Sequence, residues 1–145
     1  MFSKSPLTLT HNDVQGENLF LAEDGGLSVV MIDWQLTTPG WGALDLSSLL
    51  VCQLQPEQRR SSEEQLLATY HATLTERGVE GYSLAQCQQD YRTAVLVPAS
   101  RLATAVGIQS GLTATPEAFW NVVFPRFAEA FSDLRVAELL RRQFG

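Results

Sequence analysis

Two short stretches concentrate the residues able to do chemistry: Thr10-His11-Asn12-Asp13-Val14-Gln15-Gly16-Glu17-Asn18 and Met31-Ile32-Asp33-Trp34-Gln35. Between them, Leu19-Phe20-Leu21-Ala22 and Leu27 to Ile32 are apolar and partly β-branched, and Glu23-Asp24-Gly25-Gly26 has the composition of a turn. The pattern predicts an antiparallel hairpin. With Ala22 paired near Leu27 or Ser28, Asn18 falls opposite Met31 or Ile32 and close to Asp33. An amide oxygen and a carboxylate then face one small space. Such donors suit Mg²⁺, which takes one or two protein groups and completes its shell with water and phosphate oxygens. Asp13, earlier on the same loop, offers the carboxylate that a substrate hydroxyl needs as proton acceptor and orienting group. Taken by themselves, Asp13 and Asn18 also suit an Asx-rich loop capping its own turns, and His11 suits a hydrogen-bonded loop residue. A metal site built on histidine would have only His71 to pair with His11, and nothing in the spacing joins them.

The elements that must position these residues change character near Asp45. Before it lie the loop, the hairpin and the stretch Thr37-Thr38-Pro39-Gly40-Trp41-Gly42, which reads as a loop because Pro lacks a donor and Gly favours unusual backbone angles. After it the periodicity is helical. Asp45 to Cys52 reads as a short buried helix broken at Pro56. Ser62 and Gln65 have capping-box spacing, opening a helix through Leu66, Leu67, Tyr70 and Leu74 that Gly78 closes. Ser83 starts a longer helix through Cys87, Tyr91, Val95 and Leu102, bent at Pro98 and ended by Gly107 or Gly111. Thr115-Pro116-Glu117 starts another, lined by Phe119, Trp120, Val123, Phe124, Phe127 and Phe131 and interrupted at Pro125. Ser132 or Asp133 caps a terminal helix with Arg141 and Arg142 at its negative end. The Phe/Trp series reads as core, Tyr70 and His71 as one buried and one exposed residue of a helix face, and Arg59-Arg60 as a solvated end.

The chain of 145 residues and 16.0 kDa suits one core, and its 45% hydrophobic content excludes global disorder. A net charge of −6 excludes a general polyanion-binding surface, so nucleic acid is not an expected partner. The apolar runs are too short to span a membrane, and no signal peptide is evident at the start, so a soluble, cytoplasmic protein is expected. Cys52 and Cys87 are expected to be reduced core thiols.

The order His11-x-Asp13-x-x-x-x-Asn18, hairpin, Ile32-Asp33-Trp34-Gln35, Gly/Pro stretch and Asp45-Leu46-Ser47 resembles the catalytic loop and metal-binding Asp motif of the protein-kinase-like fold. It is most similar to the small-molecule branch: the aminoglycoside phosphotransferase, choline kinase and ecdysteroid-kinase-like (CHK kinase-like) families. Tyr70-His71, Gly78, Gly81-Tyr82-Ser83 and Asp90-Tyr91-Arg92 resemble the helical part of bacterial ecdysteroid-kinase-like members. The resemblance implies Asp13 as the catalytic or hydroxyl-orienting Asp, Asn18 and Asp33 as Mg²⁺ ligands, His11 as a loop-shaping residue and Asp45 as support for the loop backbone. Mg²⁺ and ATP are the implied cofactors and a small-molecule hydroxyl the acceptor. Asn12 and Val14 depart from the Gly-Asp-Leu often seen around that Asp.

The expected fold is therefore α+β, mainly α. It is a kinase-like C-terminal lobe over residues 1–145, with catalytic loop, hairpin and metal loop in 8–48 and a helical subdomain in 57–145. A complete kinase of this type also has a β-rich N-terminal lobe with a phosphate-covering loop and a Lys on a strand, whereas Lys4 is the only lysine here. The expectation is a partial lobe, weakly active or inactive alone. The second expectation is a non-catalytic helical interaction module on the same scaffold, self-associating through exposed apolar surface.

Overall fold

The computed structural model describes residues 5–21, 28–109 and 117–144. Two small antiparallel ribbons precede a helical body, so the fold is α+β and mainly α. Strand β1 (Leu7–Thr10) pairs with β4 (Thr38–Trp41), and β2 (Leu19–Leu21) pairs with β3 (Val29–Met31). The helices are α1 (Gly42–Ser48), α2 (Pro56–Glu76), α3 (Leu84–Ala94), α4 (Leu96–Gln109), α5 (Glu117–Asp133) and α6 (Val136–Phe144), with a π-helical turn Leu49–Gln53 after α1.

The hairpin register places Leu19 opposite Met31 and Leu21 opposite Val29, which sets Asn18 opposite Ile32. The Ile32 N–H donates to the Asn18 carbonyl at 3.0 Å. The turn proposed at Glu23 to Gly26 lies outside the described residues.

The Pro/Gly stretch expected as a loop is strand β4, with Leu9 opposite Pro39 and Thr8 opposite Gly40. A two-stranded ribbon tolerates proline because its nitrogen can face away from the single partner. Gly40 is needed for close approach, since a Cβ there would lie 2.9 Å from the Oγ1 of the buried Thr10. At Gly42, where the ribbon turns into α1, a Cβ would lie 2.0 Å from the Tyr70 hydroxyl oxygen.

Helix α2 begins at Pro56, earlier than the Ser62 signal suggested. Gln55 and Gln58 form the reciprocal cap, while the Ser61 and Ser62 hydroxyls donate back to the Gln58 carbonyl. Pro56 therefore starts the helix, in a first turn that needs no N–H from it. The other end follows expectation: Gly78 has φ +89°, and Val79 N–H donates to Leu74 O at 3.0 Å, closing a Schellman motif. Ser83 caps α3 by accepting from Gln86 N–H at 3.1 Å. The single long helix expected after it is two, α3 and α4. Pro98 cannot donate to the Ala94 carbonyl and instead occupies the first turn of α4. Helix α5, by contrast, runs through Pro125 without interruption. Asn121, whose carbonyl loses its donor there, is exposed to water. The Thr115-Pro116 cap and the side chains of Phe119 and Trp120 lie outside the described residues.

Neither Ser132 nor Asp133 caps α6, which follows Arg135 at φ +51°. Asp133 is instead an ion-pair partner of Arg59 and Arg60, so the arginines expected at a solvated end clamp α2 to α5. Arg59 is only 2% exposed, and Glu63 pairs with it at 2.6 Å while accepting from the Tyr91 hydroxyl at 2.7 Å. Arg60 and Arg59 together hold the Asp133 carboxyl below the usual carboxylate range. Arg141 and Arg142 are exposed, as expected.

The core lies where α2, α3, α5, α6 and the π-helical turn meet. Leu50, Val51, Leu67, Cys87, Tyr91 and Val95 are buried there, Cys87 and Tyr91 on one face of α3 and Val95 at its C-terminal cap. Both cysteines are free thiols, and burial pushes Cys52 up to about 11. Tyr70 and His71 are both half-buried, so neither is the exposed member of the pair. Among the described residues no helix is long and apolar enough to cross a membrane.

Two outcomes follow from this packing. Gly42→Ala should cost about 1–3 kcal/mol by overpacking, and Tyr70→Phe, which removes the clashing hydroxyl, should recover part of that loss in urea melts of the double variant. Burial pushes Tyr70 up to about 12, and burial with the Asp90 and Glu63 carboxylates also raises Tyr82 and Tyr91. The folded phenols hold their protons more tightly than an unfolded tyrosine at ~10. Their contribution is therefore complete below that value and is lost as pH rises through the folded values. A titration should show tyrosinate absorbance rising together with loss of helical circular dichroism, not before it.

Candidate active site

The loop between β1 and β2 is held at its start by Asp45, in the first turn of α1. One carboxylate oxygen accepts from His11 N–H at 2.7 Å and the other from Asn12 N–H at 2.8 Å. Asn12 has φ +66°, a left-handed conformation that Asn tolerates better than most residues. This accounts for the departure from glycine at that position. The amide nitrogen of Asn12 donates to Thr10 Oγ1, Thr38 Oγ1 and the Leu36 carbonyl at 2.9, 3.1 and 3.2 Å. Glycine would allow the angle but supply none of these bonds.

The buried His11 joins the two ends of the site. Its Nε2–H donates to the Ile32 carbonyl at 2.8 Å, and Nδ1 accepts from Asp13 N–H at 3.3 Å, which selects the tautomer protonated on Nε2. Trp34 packs edge-on against its ring with centroids 4.7 Å apart. Asp13 is half-buried. Its Oδ2 accepts from Asn18 Nδ2 at 3.1 Å and from Gln15 Nε2 at 3.4 Å. The same Asn18 nitrogen donates to the Asp13 carbonyl at 2.9 Å. Asn18 is 7% exposed, and its side-chain nitrogen is committed to Asp13.

Asp33, one residue beyond the position opposite Asn18, has φ 62° and ψ 59°. It is the second non-glycine residue of the site in the left-handed region, where backbone strain of this kind is concentrated in functional sites. Its carboxylate is exposed, with Oδ2 accepting from Gln35 Nε2 at 3.3 Å. Among the described residues, no group of three or more His, Cys, Asp and Glu could hold a metal ion. The pair of hard oxygen donors, Asn18 amide and Asp33 carboxylate, nevertheless fits Mg²⁺, which keeps most of its shell for water and phosphate.

Sequence reasoning missed two supports of the loop. Gln53, at the end of the π-helical turn, accepts from Gly16 N–H at 3.2 Å through its side chain. Arg101, on α4, donates from Nη1 to the Asn12 carbonyl and from Nη2 to Asn12 Oδ1 at 3.3 Å. Neither has a local signal, because both act across more than 30 residues. Beside the loop, a cavity of about 360 Å³ is lined by Val14 and Met31 on one side and Leu46, Leu49, Tyr70 and Leu74 on the other.

Comparison with known proteins supports a kinase-like scaffold at most. Residues 5–112 match the family profile DUF1679, described as "Uncharacterized oxidoreductase dhs-27", and the chain belongs to this family. It is also similar to the "Uncharacterized kinase-like protein D1044.1" of Caenorhabditis elegans, 27% identical over 89 residues, which cover 61% of this chain. The match spans 24% of the length of that relative. No solved structure gives a significant match.

Replacing Asp45 by Ala removes the acceptor of two successive N–H groups. Thermal and urea melts should show a loss of about 2–4 kcal/mol, the sum of two unsatisfied donors, and Asp45→Asn, which keeps one acceptor oxygen, should lose roughly half of that.

Proposed function

We propose that the chain carries the phosphate-side machinery of a small-molecule phosphotransferase, moving the γ-phosphoryl group of ATP to an acceptor hydroxyl. The observation that carries this reading is the Asn18 amide bound to Asp13, on a residue that pairs with Ile32 across the hairpin, immediately before Asp33. Asn18 and Asp33 would hold Mg²⁺, which supplies charge neutralisation at the phosphates when bound. The rest of the account belongs to the side chains. Asn18 and Gln15 engage Asp13 Oδ2, so the other oxygen, Oδ1, orients the acceptor hydroxyl and takes its proton. His11 and Asp45 hold the loop backbone from which Asp13 projects. Since phosphoryl transfer demands mostly positioning and electrostatic stabilisation, fixing one carboxylate beside two oxygen donors is the main task of the protein here. The similarity to a kinase-like protein supports the same reading.

A second reading, a non-catalytic interaction module, draws on the two ribbons. Leu7, Leu9, Phe20, Leu21, Val29 and Val30 are all exposed there. A second copy of the chain would cover such a surface.

Calorimetry with Mg-ATP separates the two readings. The phosphotransferase reading predicts nucleotide binding that requires Mg²⁺ and weakens at least about tenfold, 1.4 kcal/mol, in Asp33→Asn. It also predicts that any transfer to alcohols falls roughly 100-fold or more in Asp13→Asn. Absence of Mg-dependent binding, with a defined dimer by light scattering, would establish the module instead.

A further inference from the structure

Three successive peptide groups lead into Asp13, and each is held by a side chain from elsewhere in the chain. The first two present the N–H groups of His11 and Asn12 to the Asp45 carboxylate. The third joins Asn12 to Asp13. Its N–H donates to His11 Nδ1, and its carbonyl accepts from Arg101 Nη1. Arg101 thus holds one end of the peptide that carries Asp13 while His11 holds the other. Its second nitrogen reaches Asn12 Oδ1, so a single guanidinium fixes both the backbone and the side chain of the left-handed residue.

We infer that Arg101 is a positioning residue for Asp13, which makes the placement of α4 a condition of the catalytic-loop geometry. The inference rests on the phosphotransferase reading and deepens it. Its physical basis is the freedom of the Asn12–Asp13 peptide. Without a donor on the Asn12 carbonyl, that peptide can rotate about its flanking bonds and swing the Asp13 carboxylate away from Asn18. Arg suits the task because its planar fork presents two parallel donors. Among the described residues Arg101 forms no ion pair with a carboxylate; the ion pairs there belong to Arg59, Arg60 and Arg135. Its positive charge therefore remains beside the loop. Because Arg101 stands on α4, a helix separate from α3 with Pro98 in its first turn, anything that shifts α4 reaches Asp13 through the Asn12–Asp13 peptide.

The test uses the full chain and its Arg101→Ala and Arg101→Lys variants, with amide hydrogen exchange read by NMR and phosphoryl transfer read by kcat and KM. Arg101→Ala should speed exchange at His11, Asn12 and Asp13 about tenfold, the effect of about 1.4 kcal/mol, while Tyr91 and Val95 in the core exchange as before. Arg101→Lys, with one ammonium in place of the fork, should fall between the two. In the transfer assay kcat should drop while KM for Mg-ATP stays the same. Unchanged loop exchange, or equal acceleration in loop and core, would overturn the inference, the latter by showing a merely structural residue. A drop in kcat with no change at the loop amides would overturn it as well. Failure of the wild-type chain to bind Mg-ATP would instead sink the phosphotransferase reading, and the loop exchange would still report whether Arg101 holds the Asn12–Asp13 peptide.

Discussion

The carboxylate of Asp45, accepting the N–H groups of His11 and Asn12, is the interaction on which the rest of the site depends. Two consecutive amides directed at one carboxylate fix the direction of the chain as it leaves β1. That direction obliges Asn12 to adopt a left-handed conformation, which in turn aims its amide at Thr10, Thr38 and Leu36. A loop that would otherwise be a polar tether becomes continuous with both ribbons. The position of Asp45 is itself set by the tight turn from β4 into α1, where Gly42 yields space to the Tyr70 hydroxyl. A helix packing decision is thereby passed to the loop between β1 and β2 through one side chain.

The protein separates this polar site from the apolar mass that supports it. The core is built on α3 and its C-terminal cap, with Cys87, Tyr91 and Val95 excluded from water, and is bounded by the Arg59, Glu63 and Asp133 network. The one buried charge of this network, Arg59, is paired with Glu63 and Asp133, and the Tyr91 hydroxyl shares Glu63 with it. Such a network costs desolvation and contributes orientation: it fixes the angle at which α5 crosses α2. Gln53 and Arg101 then connect the helical mass to the loop at two points, Gly16 and Asn12.

What could be read from the residues alone divides along the range of the forces. The hairpin register was legible to within one residue, since two short apolar runs on either side of Glu23-Asp24-Gly25-Gly26 allow few pairings, and of the two positions expected for Asn18, Met31 or Ile32, it lies opposite Ile32. The Gly78 and Ser83 helix boundaries were legible for the same local reason. Strand β4 was not, because Pro39 and Gly40 argue against a strand until the partner Leu7–Thr10 is known to leave the proline edge free. Arg59 looked solvated because one of its two carboxylate partners, Asp133, is 74 residues away. For Arg101 the separation is 89 residues, and no periodicity or motif records it. The tertiary fold supplies those contacts, and with them the geometry of the candidate site.

The account reduces to one spatial claim, that Asn18 and Asp33 form a single cation site beside Asp13. Paramagnetic broadening of the NMR spectrum by Mn²⁺, a close substitute for Mg²⁺ at oxygen donors, tests it most directly. The predicted result is selective broadening at Asp13, at the Asn18 side-chain amide and at Asp33, abolished by Asp33→Asn. Broadening centred on the acidic surface of α2 around Glu63 and Glu64, or a pattern unchanged by Asp33→Asn, would contradict it.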